Sequence, residues 1–407
     1  MQIKRLRYIK ADIYSYISIL MMWIAAFASL YSDSFNKIGL YVALPLAFVL
    51  CTLKNKGFHL NIYEKILYGL FAWDSISYLW ADDKETASVE LHAILGTFLL
   101  VYVISILARN SKFLPFLYFT FALLYLSAWN YAVHNILVFM VNSDDRLNDE
   151  KLNANTLAYY TFYFTYMSYI LSEIVAKRNI KKIWTIVFWL MLPASFGVSL
   201  LTASRQVILV QVPLYALLIY IRYLKGVSIK HKITFALLCF ICIIAFSSNI
   251  INTYNNSYLK QRAETNVGDD PRADLARNAI QEGIANFPLG LGAGNFQSIS
   301  ITRQISHNSY LESFVNLGLP GLAFYVSLLL TFTFRQLKRY EVTKDKMYFV
   351  FFSFGLIYIL DSFFFVFYNG IWLISFFMLV AAHSEEYYNS KITLSEYEDP
   401  TYTSCNA

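Results

Sequence analysis

Long runs of apolar residues alternate with short polar stretches along most of the chain. Each run has about 16–25 residues, and a helix needs about 20 to cross the hydrocarbon core of a bilayer. The pattern therefore predicts an all-α polytopic membrane protein with about twelve transmembrane helices in a single membrane domain, residues 1–407. The predicted spans lie near residues 13–31, 38–53, 62–80, 91–107, 113–133, 157–176, 183–201, 206–223, 233–249, 308–333, 347–362 and 371–388.

The distribution of basic residues predicts the orientation of the chain. With the N-terminus inside, loops on that side carry 22 of the 33 Lys and Arg residues, the opposite loops carry 10, and Lys65 lies within a span. Because Lys and Arg concentrate in cytoplasmic loops, both termini are predicted to be cytoplasmic, with a tail at 389–407. The first run ends near Ala26-Phe27-Ala28, which resembles a signal-peptide cleavage site, but its length favours an uncleaved signal anchor.

This orientation leaves two long segments outside, near 134–156 and at 250–307. The second, a large periplasmic loop between the ninth and tenth spans, is polar and contains an isolated helical stretch. Because binding residues are often carried by such loops, this segment is the first place to expect a site.

Composition narrows the classes of function. Hydrophobic residues make up 57% of the chain and charged residues only 15%, against about a quarter charged in soluble domains. The net charge of +6 is explained by the topology and does not indicate a nucleic-acid partner. Cys239 and Cys242 would share one face of an apolar helix, where packing is a better explanation than a redox or metal pair.

An amphipathic helix is predicted from Asp269-Asp270-Pro271-Arg272 onwards. An Asp cap and Pro at the first helical position would start it, and its apolar positions are Leu275, Ala279, Ile280, Ile284 and Phe287. Arg272 then lies beside unpaired backbone N–H groups, a combination that suits a phosphate. Gly283, about three turns later, shares its face. The alternative is an ordinary interfacial helix with a solvated arginine.

Alternating glycines follow in the segment Pro288–Phe296. A dinucleotide-binding or P-loop interpretation fails, because no Lys-Ser/Thr follows the glycines and no predicted strand precedes them. A tight turn that returns the chain to the membrane accounts for them better.

The strongest local pattern runs from Ser306 to Gly321. It places His307, a side chain suited to proton transfer near neutral pH, at the outer mouth of a helix that enters the membrane. Gly318, Pro320 and Gly321 follow near mid-bilayer, where a kink and small residues permit close helix approach. A purely structural histidine is the alternative.

A second cation lies in the very short outer turn Thr202–Gln206. A charge at this depth is a functional hypothesis, with headgroup snorkelling as the alternative for Arg205. Arg205, Arg272 and His307 are thus predicted on one outer face. Such a set suits transfer from a polyprenyl-diphosphate donor, because two cations stabilise the departing diphosphate while a base takes a proton from the attacking hydroxyl.

These residues resemble the O-antigen ligase and O-antigen polymerase superfamily of bacterial envelope glycosyltransferases. Its ligases carry His, then Asn, Ser or Gln, nine residues, Gly, two residues and Gly. His307, Asn308, Gly318 and Gly321 match that spacing in full. The resemblance covers most of residues 75–330. Its other parts are Ser204-Arg205, the Arg272 helix, Pro288–Phe296 and, more weakly, Leu79–Asp82 and Asn153–Asn155 after Arg146.

The resemblance implies a GT-C-like fold in the bacterial inner membrane and metal-independent glycan transfer at the periplasmic face, without a cofactor. It implies His307 as base or acceptor-positioning residue, and Arg205 and Arg272 as ligands of the donor diphosphate. The implied supporting residues are Asn308, Gly318, Gly321, Gly283 and Arg146. The implied partners are an undecaprenyl-diphosphate-linked glycan donor, a lipid A-core or glycan acceptor, membrane lipids and envelope polysaccharide assembly proteins.

Ligases and polymerases share this donor chemistry and differ in the acceptor. The spacing of Arg272 and Gly283 also fits an arginine–glycine pattern of the polymerases, which usually occurs in two outer loops. Arg146 in the other long loop lacks the matching glycine, since Leu157 stands there. Together with the complete His motif, this departure favours a ligase that uses lipid A-core.

A twelve-span transporter or flippase is the alternative from a different class. The chain shows no convincing inverted repeat and no buried acidic relay, both of which transporters commonly use. Asp74 and Asp361 lie within or beside spans, and we interpret each as a satisfied interfacial group.

Overall fold

The computed structural model describes residues 2–29, 33–54, 60–141, 154–175, 177–202, 204–245 and 271–398, and the positions 251, 252, 255 and 260. Within these residues the chain is helical and contains no strand. The helices are α1 Gln2–Ala28, α2 Asp33–Ile38, α3 Leu44–Lys54, α4 Ile62–Ser77, α5 Lys84–Ala108, α6 Leu114–Val141, α7 Ala154–Ile174, α8 Arg178–Leu201, α9 Arg205–Ile219, α10 Ile229–Ala245, α11 Pro271–Ala285, α12 Phe296–Ile299, α13 Ser309–Thr343, α14 Lys346–Asp361 and α15 Ile371–Glu398.

Helices occupy all the segments predicted to span the membrane, as far as those segments are described. In the part of the chain that the structure describes, five helical stretches are long and apolar enough to cross a bilayer: Phe35–Leu53, Lys84–Ala108, Arg178–Leu201, Val207–Leu224 and Ser309–Thr343. Ile13–Ala28 and Ser111–Leu126 are apolar but shorter. The fold is that of an all-helical polytopic membrane protein, while the count of twelve spans and the orientation stay predictions.

Side-chain caps determine where several helices begin. Asn61 and Glu64 form a capping box at α4, each accepting the backbone N–H of the other at 2.9 Å. Asp83 caps α5, Asn308 caps α13 and Asp345 caps α14. Since the first N–H groups of a helix have no partner within it, Asn and Asp at these positions supply the missing acceptors.

The chain divides into two units, of which the first comprises Met1–Leu123 and Asp274–Ala407. Within it, α13 packs against α4 and α14, α15 packs against α5, and α1 packs against α3. Aromatic rings fill much of the space between these helices. Phe354, Tyr358 and Phe377 form one such group, with ring centroids 4.7–6.1 Å apart.

The second unit is Leu124–Ala273, in which α7, α8 and α9 pack together. Small polar groups link these helices. The Ser195 and Tyr215 hydroxyls are 2.7 Å apart, and Gln211 Nε2 donates to Ser199 Oγ at 2.8 Å. Hydrogen bonds of this kind hold membrane helices together without buried charge.

Candidate functional site

Helix α13 is broken at Gly318, in the middle of the histidine motif. Gly318 has φ 65° and ψ −159°, a conformation that favours glycine. The predicted kink is thereby confirmed. Pro320 adds to the break, because proline has no N–H to donate to the Asn316 carbonyl. Backbone groups on both sides of Gly318 therefore need partners from outside the helix.

The segment Pro288–Gly292 supplies most of these partners. Its N–H groups donate to the carbonyl oxygens of Val315 and Asn316, at 2.9 and 2.8 Å. Its first carbonyl accepts the N–H of Leu319 at 2.9 Å. Backbone groups freed by a helix break must find partners elsewhere in the protein, and here the Pro288–Gly292 segment provides them. The segment is therefore more than the tight turn that the sequence predicts.

The contact between these two segments leaves no room for side chains at two positions. A methyl group at Gly318 would overlap the carbonyl oxygen of Pro288, and one at Gly290 would meet the backbone N of Gly318. Both glycines also have positive φ. The Trp73 indole completes the arrangement, because its Nε1 donates to the Leu317 carbonyl at 2.8 Å.

The loop before α5 joins the same region of the first unit. Asn295 Oδ1 accepts the N–H of Asp83 at 2.8 Å, and its Nδ2 donates to the Asp83 carbonyl at 3.2 Å. Gly292 lies directly against the backbone of Ala81. Hydrogen bonds from the Thr86 hydroxyl and N–H lower the pKa of Asp83. Three segments of the family resemblance, 79–82, 288–296 and 306–321, thus meet.

His307 lies in the turn that leads into α13 and is partly buried. Its φ of 56° is unusual for a residue other than glycine and costs on the order of 1 kcal/mol. Hydrogen bonds on both sides hold the turn. The Ser306 N–H donates to Glu312 Oε2 at 2.6 Å, and Asn308 Oδ1 accepts the N–H groups two and three residues later, at 2.9 and 3.1 Å.

Two buried residues inside the motif were missed by sequence reasoning. Glu312 and Asn316 are each 1% exposed and lie one helical turn apart. Asn316 Nδ2 donates to Glu312 Oε1 at 3.0 Å, while Asn316 Oδ1 accepts the N–H of Phe296 at 2.7 Å. Polar residues at i and i+4 within an apolar span are a signal that could have identified them.

Further buried acids lie in the first unit. Asp74 is 1% exposed and, among the described residues, its carboxylate oxygens have no hydrogen-bond partner. Glu90 is also buried and accepts a hydrogen bond from Asn369 Nδ2 at 3.0 Å. The interpretation of Asp74 as a satisfied interfacial group is therefore wrong, because the helices enclose it. Because acids such as Asp74 and Glu90 are buried, a lack of buried acids no longer distinguishes this protein from a transporter.

Helix α11 begins at Pro271, as predicted, and Arg272 lies partly buried in its first turn. Leu275, Ala279 and Gly283 form its buried face, where a methyl group at Gly283 would lie 2.5 Å from the Phe314 ring. Of the predicted apolar positions, Leu275 and Ala279 thus pack inside the protein. The exposed members are Ile280, Ile284 and Phe287.

Arg205 is the first residue of α9, in the second unit. The residue before it, Ser204, donates from Oγ to Asn155 Oδ1 at 2.9 Å and accepts from Thr202 Oγ1 at 3.1 Å. Ser204 and Asn155, which belong to two further segments of the resemblance, thus meet. The convergence of Arg205 and Arg272 with His307 stays a prediction. Arg146, Asp269 and Asp270 lie outside the described residues.

The fold defines the class first: an all-helical membrane protein with a polar turn at the head of a broken helix. In comparison with known families, residues 186–326 match the family described as O-antigen ligase. The resemblance to the O-antigen ligase and polymerase superfamily is thereby confirmed. Its members are glycosyltransferase-like ligases and polymerases. No curated protein matches the chain.

Proposed function

We propose that the protein is an O-antigen ligase-type glycosyltransferase. It moves a polysaccharide from undecaprenyl diphosphate to an acceptor hydroxyl of lipid A-core, at the periplasmic face of the bacterial inner membrane. The observation that carries the proposal is that the family match over 186–326 contains Arg205, Arg272 and His307. These are the two cations and the base that the sequence predicts.

In the proposed reaction, the acceptor oxygen attacks the anomeric carbon of the donor sugar. His307 takes the hydroxyl proton as the new bond forms, while the bond from that carbon to the diphosphate oxygen breaks. Arg205 and Arg272 stabilise the charge on the departing diphosphate. The hydrogen bonds on both sides of His307 support this role, because a fixed base reduces the entropy lost in reaching the transition state.

Alanine substitutions test this assignment. His307→Ala, Arg205→Ala and Arg272→Ala are each expected to abolish transfer, because each removes the base or a diphosphate ligand. The measurement is the lipopolysaccharide ladder of a strain that lacks its own copy of the gene. Arg277→Ala is the matched control for Arg272→Ala, because both residues lie on α11. Arg277 is exposed, and so is Asp274, with which it forms a 3.2 Å ion pair. It is expected to keep the ladder.

Membrane insertion of each variant, followed by immunoblot, completes the comparison. Normal ladders from all three variants would overturn the proposal. Loss of the ladder in the control as well would show a structural defect of α11 rather than a lost diphosphate ligand.

A repeat-unit polymerase of the same superfamily is the second candidate. The spacing of Arg272 and Gly283 favours it, and both residues lie on the continuous helix α11. The lipopolysaccharide ladder also separates a ligase from a polymerase, because loss of ligation leaves long chains on the carrier lipid. Loss of polymerisation leaves single repeats on lipid A-core.

A further inference from the structure

We propose that Glu312 is a positioning residue for His307 and that it acts as a unit with Asn316. Both lie among the nine residues that the histidine motif leaves unspecified. The inference rests on the function proposed above, because it assigns a role in the same reaction. It goes further by naming the side chains that hold the base in place.

The Glu312 carboxylate binds the backbone immediately before the histidine. Its Oε2 accepts the Ser306 N–H at 2.6 Å, and the Ser306 hydroxyl donates to the Asn308 carbonyl at 3.0 Å. His307, with its left-handed φ of 56°, lies between these two anchored residues. Loss of the carboxylate contact releases one end of this turn, so the imidazole then samples a wider range of positions.

Asn316 connects the Glu312 carboxylate to helix α12. Its Nδ2 donates to Glu312 Oε1, and its Oδ1 accepts the N–H of Phe296, the first residue of α12. The pair therefore links the turn at His307 to α12, which follows the Pro288–Gly292 segment that covers the break in α13. Hydrogen bonds to a carboxylate are stronger than those between neutral groups, which suits a turn that must hold an unfavourable conformation.

A second anchor holds the turn independently of this pair. Ser309 Oγ donates to the Phe365 carbonyl at 2.7 Å and accepts the Phe367 N–H at 3.0 Å. The start of α13 therefore stays attached to the rest of the unit when the Glu312 contacts are lost. A substitution at Glu312 is expected to act on the histidine turn rather than on the whole helix.

The pair has three hydrogen bonds: Ser306 to Glu312, Asn316 to Glu312, and Phe296 to Asn316. Exchanging the carboxylate and the amide between the two positions tests their role. In Glu312→Gln the new amide nitrogen faces the Asn316 amide nitrogen, so two donors oppose each other. In Asn316→Asp two carboxylates oppose each other. In the double variant Glu312→Gln/Asn316→Asp all three bonds form again: the new amide accepts from Ser306 and donates to the new carboxylate, which also accepts from Phe296.

Each single variant is expected to lower kcat for glycan transfer by about tenfold or more with little change in KM, since a displaced base affects the chemical step. The double variant is expected to recover to within about threefold of wild type, as non-additive pairs do. If both single variants fail to insert, the double variant decides the question. A double variant that inserts but transfers no better than the single variants overturns the proposal.

A second readout does not depend on transfer. Diethylpyrocarbonate modification of His307, followed by mass spectrometry, is expected to accelerate about threefold in the single variants and to return in the double variant. The exposed His231, in the other unit, is the internal control. Unchanged modification in both single variants overturns the positioning role. If modification accelerates in the single variants and recovers in the double variant, but the wild-type protein transfers no glycan, the proposed function is refuted and the positioning role is not.

Discussion

The N-terminal end of α13, here called the head, and its C-terminal end, here called the tail, use polar side chains in different ways. At the head, Glu312 and Asn316 bind backbone N–H groups of the preceding turn and of α12. At the tail, the contacts join separate helices: Arg339 lies 2.9 Å from Glu385 Oε2 on α15, and Arg335 lies 3.4 Å from the same oxygen. Arg339 also donates to the Ser384 carbonyl of α15 at 3.4 Å. The contacts at the head fix the backbone conformation of irregular segments, whereas the contacts at the tail join two regular helices.

This difference has an energetic consequence. Side chains that bind backbone fix the conformation of irregular segments, so their loss changes where functional groups lie. Ion pairs between regular helices contribute to stability, while each helix keeps its own backbone hydrogen bonds. We therefore expect changes at the head to reduce glycan transfer by more than the loss of folded protein explains. Changes at the tail are expected to reduce stability and to leave transfer per folded molecule unchanged.

Gly318→Ala should have the largest effect and tests the head. The methyl group would overlap the Pro288 carbonyl, and φ of 65° is unfavourable for alanine. We expect a loss of roughly 3 kcal/mol or more in stability, together with loss of transfer. Thermal unfolding in detergent and the lipopolysaccharide ladder measure the two effects.

The control for this substitution is Gly197→Ala in α8, where a methyl group would meet nothing within 4 Å. It is expected to be neutral or slightly stabilising, because alanine favours helix more than glycine does. Equal unfolding temperatures for the two variants would contradict the account of the break.

Arg339→Met should have an intermediate effect and tests the tail. Arg339 is 7% exposed, and its removal weakens the neutralisation of the partly buried Glu385. We expect a loss of about 2–3 kcal/mol in stability, with normal transfer per folded molecule. Arg335→Met is the matched control, because its side chain is 40% exposed and its ion pair is worth roughly 1 kcal/mol at most. A fall in kcat with unchanged stability in Arg339→Met would remove the distinction between the two ends.

Asn295→Ala should have the smallest effect and sharpens the comparison within the head. It removes both hydrogen bonds to the Asp83 backbone without touching the His307 turn. We expect a loss of roughly 1–2 kcal/mol in stability and a modest fall in transfer. Thermal unfolding and transfer kinetics on the same preparation measure both. A loss of transfer as large as that of Glu312→Gln would show that the position of the loop before α5 matters as much as the histidine turn.

The sequence predicted the regular parts of this structure well. Apolar runs located the helices, Pro271 located the start of α11, and Gly318 with Pro320 located the break in α13. These features depend on local chemistry: helix length, proline geometry and the conformational freedom of glycine.

Features that depend on distant partners were not predictable in this way. Nothing local to Pro288–Gly292 indicates that its N–H groups bind carbonyls of α13. The burial of Asp74 and the exposure of Ile284 depend on which neighbouring helices pack against them. Periodicity identifies an apolar face, but it does not choose the partner of that face.

The close contact between Gly290 and Gly318 also has an evolutionary consequence. A side chain at Gly290 would need the space of the Gly318 backbone, and one at Gly318 would need the space of the Pro288 and Leu289 backbone. Neither glycine can therefore vary while the two segments keep their contact. The two glycines, distant in the sequence, therefore behave as one inherited character. A lineage that lost one of them would need a straight α13 or a different loop before the other could change.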